Sequence, residues 1–175
     1  ASELYEYMQK IYLGLFNNHF TSILELGTGG GEITSQFNKN KLDYIAVEGT
    51  KMGYKKLIEI GIPDSRILNI DLRKMKSLDR KFDIVMCTEV AEHIEPFFAS
   101  KIIDLCISHS DVIWFSSANR KRRPHYHHIN EVSEEAWDNL FAFMGYNYYL
   151  CLNRLHARAD RLYFSENIIK KLFHE

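Results

Sequence analysis

Strand-like and helix-like stretches alternate down almost the whole chain, until two strand-like stretches at the end are separated by only a few residues. That order limits the fold more than any count of residue types. Leu4, Met8, Ile11 and Leu15 stand at helical spacing, which predicts an opening helix within residues 1–18 that runs out at Asn17-Asn18. Five strand candidates follow: SILEL (22–26), YIAVE (44–48), RILNID (66–71), FDIVMCT (82–88) and DVIWFSS (111–117). Helical patterns lie among them. Ile33 and Phe37 share one face, Thr50 caps a helix that Gly61 and Pro63 close, and Pro96 opens one carrying Phe98, Ile102 and Cys106. Ser133 caps another, with Trp137, Leu140, Phe141 and Met144, ended by Gly145. The closing stretches, YNYYLCLNRL (146–155) and DRLYFSENI (160–168), are too close in sequence for a parallel crossover, so they form an antiparallel hairpin. The pattern predicts an α/β fold with a mostly parallel sheet and an antiparallel end.

Composition sets the scale. A chain of 175 residues that is 46% hydrophobic can bury one ordinary core, so residues 1–175 are expected to form one domain. The formal net charge of −1 gives no global attraction to nucleic acid or an anionic membrane, and any basic partner site must be local. Cys87, Cys106 and Cys151 show no paired spacing, which points to reduced thiols and a cytoplasmic setting. No stretch reaches the length of a membrane span, and no charged-then-apolar leader precedes Leu4. An Ala-Ser start without Met suits a domain excised from a longer parent chain.

The segment ELGTGGGE (25–32) lies between the first strand and the next helix, where open α/β sheets place their ligands. Gly27, Gly29 and Gly31 allow a ligand close to the backbone, but Glu32 stands where a dinucleotide fingerprint requires a third small residue. Glu25 before the loop would repel a pyrophosphate. It suits a ligand with a cationic amino group and a sulfonium and no phosphate, which is S-adenosylmethionine. Glu48 ends the second strand, where a carboxylate can accept from both ribose hydroxyls, and Asp71 ends the third, where it can accept from the adenine amino group.

ILELGTGGGEITSQF, YIAVEGT, ILNIDL, FDIVMCTEVAEHIEP and VIWFSSAN resemble, in order and spacing, the motifs of class I S-adenosylmethionine-dependent methyltransferases over roughly residues 20–120. The resemblance implies a Rossmann-like, seven-stranded sheet in the order 3-2-1-4-5-7-6, with helices on both faces. It also implies a donor site at Glu25, Gly27, Thr28, Gly29, Gly31, Glu48, Asp71, Leu72, Thr88 and Glu89. Residues 20–120 are then the donor-binding core, 119–131 an acceptor-side loop, and 146–173 the terminal hairpin and tail.

TEVAEHIEP (88–96) follows the fourth strand, beside the donor methyl in such a fold. If 89–93 form one helical turn, Glu89, Glu92 and His93 share a face. Three readings stay open. The acids serve a helix N-terminus; or His93, with Glu92 and a later His such as His128, manages a proton on the acceptor; or Glu89, Glu92, His93 and His128 hold a divalent metal, Mg²⁺ or Mn²⁺. The metal pattern looks like that of the small-RNA 3′-terminal 2′-O-methyltransferases, whose Glu-x-x-Glu-His run is paired with a downstream His; PHYHHINE offers His125, His127 and His128. Arg120, Lys121, Arg122 and Arg123 beside Tyr126 suit an anionic acceptor, a phosphate or an RNA end. No Asn/Asp-Pro-Pro-aromatic run follows the fourth strand, no Lys-Asp-Lys-Glu tetrad is found, and no cysteine stands where a pyrimidine C5 enzyme needs its nucleophile.

The leading expectation is O- or N-methylation of a small polar acceptor: a metabolite, sugar or nucleotide. Metal-dependent methylation of an RNA 3′ end is the first alternative, and a donor-binding regulatory or scaffolding domain without turnover is the second. A homo-oligomer is an open expectation, because acceptor recognition in so small a chain can draw on a partner subunit.

Overall fold

A computed structural model describes residues 1–118, 127–152 and 160–173. The basic stretch 119–126, including Arg120, Lys121, Arg122, Arg123, His125 and Tyr126, lies outside the described residues, as does the hairpin connection 153–159.

Helix α1 (Ser2–Phe16) leads into β1 (Ser22–Leu26), α2 (Glu32–Lys39), β2 (Asp43–Glu48), α3 (Lys51–Glu59) and β3 (Ile67–Asn69). Next come β4 (Ile84–Thr88), α4 (Ala99–His109), β5 (Val112–Ser116), α5 (Glu134–Phe143), β6 (Tyr146–Leu152), β7 (Asp160–Ser165) and α6 (Glu166–Phe173). The strands form a seven-stranded sheet in the order β3-β2-β1-β4-β5-β7-β6. Neighbours from β3 through β5 are parallel, and both pairs involving β7 are antiparallel.

Strands buried on both faces should be apolar in nearly every position, as the central strands β4 (IVMCT) and β5 (VIWFS) are. Leu24 and Leu26 of β1 point into a core with Ile102 and Cys106 of α4 and Trp137 and Phe141 of α5. Ile23 points the other way, onto Met8 of α1, Phe37 of α2 and Leu57 of α3. The α5 side is tied down by aromatic rings: Phe115 of β5 lies 5.1 Å from Trp137 and 5.2 Å from Phe141, which stacks on Tyr163 of β7 at 3.9 Å.

The structure differs from the sequence expectation in three places. The third strand ends at Asn69, two residues before Asp71, and the Asn69 side-chain amide donates there to the carbonyls of Glu48 and Thr50. The last strand ends at Ser165, and Glu166–Phe173 is helical. Ile168, Ile169 and Leu172 of that helix pack on the α1 side of the sheet, while Lys170 and Lys171 complement its C-terminal dipole. Thirdly, residues 89–93 do not make one α-helical turn: Glu89 is left-handed at φ 55°, and only Ala91–His93 form a 3₁₀ turn. Among the described residues no helix is long and apolar enough to cross a membrane.

Phe115 joins the central sheet to α5, so Phe115→Ala should destabilise the fold by about 3–5 kcal/mol. A fall in the urea midpoint with an unchanged m-value is the expected measurement.

Candidate active site

The C-terminal ends of β1, β2 and β4 and the turn after β3 surround a cleft of about 640 Å³. Its floor is the loop after β1. Gly27, Gly29 and Gly31 have φ of 81°, 54° and 81°, a region that side-chain-bearing residues rarely adopt. The Gly27 amide donates to the carbonyl of Val47, and a Cβ on Gly27 would collide with Val90, so this glycine locks the loop to the turn after β4. Nothing crowds the Cβ direction of Gly29, which leaves its backbone open to a ligand. Gly31 lies outside the cleft lining: it caps the start of α2, and its Cβ direction faces Leu57 of α3 and Ile60 just after that helix.

Glu25, Gly27, Thr28, Gly29, Glu48, Asp71, Leu72, Thr88 and Glu89 all line the cleft. Glu25 is buried, and Thr34 Oγ1 donates to its Oε2 at 2.6 Å. Burial pushes the Glu25 carboxyl up to about 8, the Thr34 bond opposes the rise, and Glu32 and Glu48 add to it. Glu48 accepts at Oε1 from the amide and hydroxyl of Thr50 (2.8 and 2.7 Å) and at Oε2 from Thr28 Oγ1 (3.0 Å). A carboxylate has about four acceptor sites, so three protein bonds hold Glu48 in one orientation and leave room for one more donor.

Asp71 is already engaged. The Arg73 guanidinium reaches both of its oxygens, at 2.5–3.0 Å, and holds its carboxyl below the usual carboxylate range. The same Arg73 bonds Glu95 through Nη1 (2.8 and 3.0 Å), bridging the turn after β3 to the start of α4. Arg73 and Leu4 of α1 also line the cleft, and the sequence reading missed both. The only sequence cue to Arg73 is its position two residues after Asp71.

The far wall is the turn after β4. The left-handed backbone at Glu89 lets its amide donate to the Ser116 carbonyl while its Oε1 accepts from Ser116 Oγ at 3.0 Å. Glu89 is thereby held toward β5. Glu92 is fully buried, and among the described residues neither of its carboxylate oxygens has a hydrogen-bond partner. Burial raises its pKa and Glu89 adds to the rise; the nearby amides of Glu92 and Ala118, short of bonding geometry, and the His93 ring oppose it.

One ligand atom each from Glu92, His93 and His128 lie within 4.8 Å of one another, a grouping that excludes Glu89. The rings of His93 and His128 are edge-to-face at 4.9 Å. They meet because 127–131 is fastened onto 91–93. The Glu92 carbonyl accepts from the amides of Ile129 and Asn130 (2.8 and 3.0 Å), and the buried Asn130 side chain donates to the Ala91 carbonyl. His93 Nδ1 donates to the His127 carbonyl (3.0 Å), and His128 Nδ1 donates to Glu131 Oε1 (2.8 Å). A neutral imidazole making either contact carries its proton on Nδ1 and its lone pair on Nε2. The sequence reading passed over Asn130 and Glu131, although Glu131 stands three residues after His128.

Residues 24–105 match the family model described as a methyltransferase domain. No curated protein matches the chain in sequence. Similar solved structures include the small RNA methyltransferase HEN1, at 14% identity and TM-score 0.68 over 92% of this chain and 25% of that one. An S-adenosylmethionine-dependent methyltransferase from Clostridium acetobutylicum ATCC 824 is similar at 13% identity and TM-score 0.73, over 94% of this chain and 92% of that one. The sugar N-methyltransferase KedS8 from Streptoalloteichus sp. ATCC 53650 is similar at 12% identity and TM-score 0.73, over 91% and 85%. The chain thus spans about a quarter of the small RNA methyltransferase. The family match over residues 24–105 and the sheet order together support the fold of a class I S-adenosylmethionine-dependent methyltransferase.

The raised Glu25 pKa makes a pH prediction for donor-free protein. Its stabilising contribution is complete below the ordinary carboxylate value of 4.5 and is lost as pH rises through about 8. The melting temperature should therefore fall across that interval. Glu25→Gln should flatten the fall, leaving a smaller slope of the same sign from Glu92.

Proposed function

We propose that this domain binds S-adenosylmethionine in the cleft and methylates an acceptor hydroxyl with the help of a divalent cation held by Glu92, His93 and His128. The observation that carries this reading is the buried, unpartnered Glu92 carboxylate grouped with two imidazoles at the wall of the cleft. A carboxylate in that setting is costly unless something cationic completes it. One carboxylate with two imidazoles is a fitting donor set for a divalent ion.

S-adenosylmethionine, when bound, supplies an electrophilic methyl on a sulfonium. A divalent cation, when bound, supplies a Lewis acid that lowers the pKa of a hydroxyl. The chain's own residues do the rest. Glu25 faces the cationic amino end of the donor and gives up the proton it holds in the empty cleft. Glu48, braced by Thr28 and Thr50, accepts from ribose with its remaining acceptor site. Arg73 yields part of its hold on Asp71 if that carboxylate is to meet adenine. Thr88 and Glu89 position the donor's methyl end, and Val90 against Gly27 keeps that wall at a fixed distance from the glycine loop.

The acceptor class that fits best is a ribose end with adjacent hydroxyls, as on an RNA 3′ terminus, for which the likeness to the small RNA methyltransferase is supporting fold-level analogy. A second reading is metal-free transfer to a small polar acceptor, with His93 as general base. The position of His93 in the cleft lining and its Nδ1 bond to the His127 carbonyl favour it, and the sugar N-methyltransferase is its fold-level analogue.

Calorimetry tests the donor half: Glu48→Ala should abolish binding of the demethylated donor product, and unchanged binding would remove Glu48 from the site. Radiolabelled donor with short RNAs, nucleosides and sugar nucleotides tests the acceptor half. Metal chelation and His128→Ala should each lower turnover by about 10²-fold. Turnover that survives both supports the metal-free reading, and donor binding without any turnover supports a non-catalytic domain. Glu92→Met should lose activity while raising the melting temperature of metal-free protein, because it removes a buried, unsatisfied charge.

A further inference from the structure

Resting on the reading of Glu92, His93 and His128 as a cation site, we propose that Glu131 is the positioning residue of that site, fixing the tautomer and ring orientation of His128. Glu131 Oε1 lies 2.8 Å from His128 Nδ1, and the two side chains are only 15% and 17% exposed. An ionised carboxylate accepts and cannot donate, so this contact requires the proton on Nδ1 and, in a neutral imidazole, puts the lone pair on Nε2.

The surrounding backbone gives the contact its direction. Asn130, between the two residues, is anchored at both ends: its amide to the Glu92 carbonyl and its side chain to the Ala91 carbonyl. With residue 130 held, His128 and Glu131 project from a short segment whose register to Glu92 is fixed, and Glu131 sets the remaining rotation of the imidazole. His93 obtains the same protonation pattern from a backbone carbonyl, that of His127. The two histidines are therefore oriented by different means, and only that of His128 can be removed by a side-chain substitution. Glu131 is absent from the lining of the donor cleft, so its loss should leave donor binding intact.

Long-range ¹H–¹⁵N correlation spectra of metal-free protein read the tautomer directly. Wild type should show His128 protonated on Nδ1. Glu131→Ala should shift His128 toward the Nε2-protonated form without altering His93, and Glu131→Gln, whose amide oxygen still accepts, should restore the wild-type pattern. Titration with Mn²⁺ alone, followed by the electron paramagnetic resonance of the free ion, should show about 10- to 100-fold weaker binding in Glu131→Ala. Recovery is expected in Glu131→Gln, and binding of the demethylated donor product should be equal in all three proteins. An unchanged His128 tautomer or unchanged Mn²⁺ affinity in Glu131→Ala overturns the positioning role. Mn²⁺ binding that is absent in wild type, or as tight in His128→Ala as in wild type, overturns the cation site itself and the positioning role with it. The variants thus separate the two failures.

Discussion

The carbonyl of Glu92 accepts two backbone amides, from Ile129 and Asn130, and the grouping of Glu92, His93 and His128 depends on that junction. The turn after β4 and the segment before α5 are more than thirty residues apart in sequence and have no strand pairing of their own to bring them together. Two amides on one carbonyl, with the Asn130 side chain on the next, fix their register. Each bond contributes only about 1 kcal/mol in net terms, but leaving these buried groups unmade would cost more. Glu92, His93 and His128 are neighbours because the backbone is sewn at this point, whether or not an ion is bound.

The donor side is organised differently. Its acids are at strand ends, and parallel pairing of β1 with β2 and β4 brings those ends to one edge. Glu25 and Glu48 are each held by hydroxyl-bearing neighbours, Thr34 for the first and Thr28 with Thr50 for the second. Gly27 against Val90 sets the distance between this half and the turn after β4, since any larger residue at 27 would push the wall away. The strand-end acids are a property of the sheet, and the grouping of Glu92, His93 and His128 is a property of loops fastened to it.

That division explains what was legible in the sequence. Strand ends are marked by apolar runs and glycines, so the cleft acids and the sheet order could be read in advance. Gly31 has the loop spacing of a donor contact, while its place outside the cleft lining and against Leu57 and Ile60 depends on packing that the spacing does not encode. The expected α-helical turn at 89–93 assumed regular dihedrals. The left-handed residue at Glu89 sends its side chain to Ser116, a contact between β4 and β5 that no local pattern encodes. Helix α6 was overlooked although Ile168, Ile169 and Leu172 have helical spacing, because YFS continues so directly into ENI that the strand pattern masked the change of period. Asn130 and Glu131 were invisible for another reason: a buried amide and a carboxylate–imidazole hydrogen bond acquire meaning only from the segment they are docked on.

Glu92 shows why such sites are costly to build. A buried carboxylate without a hydrogen-bond partner opposes folding, and its pKa is raised because burial outweighs the nearby amides and the His93 ring. The aromatic cluster around Phe115 and the apolar layers on both sheet faces supply the stability that tolerates it. A carboxylate retained at zero exposure, two imidazoles with Nδ1 already committed, and a loop bolted to the same turn are one preorganised arrangement. A cation entering it would meet its ligands without further ordering of the chain, so the energy of assembling the site is spent in folding rather than in binding.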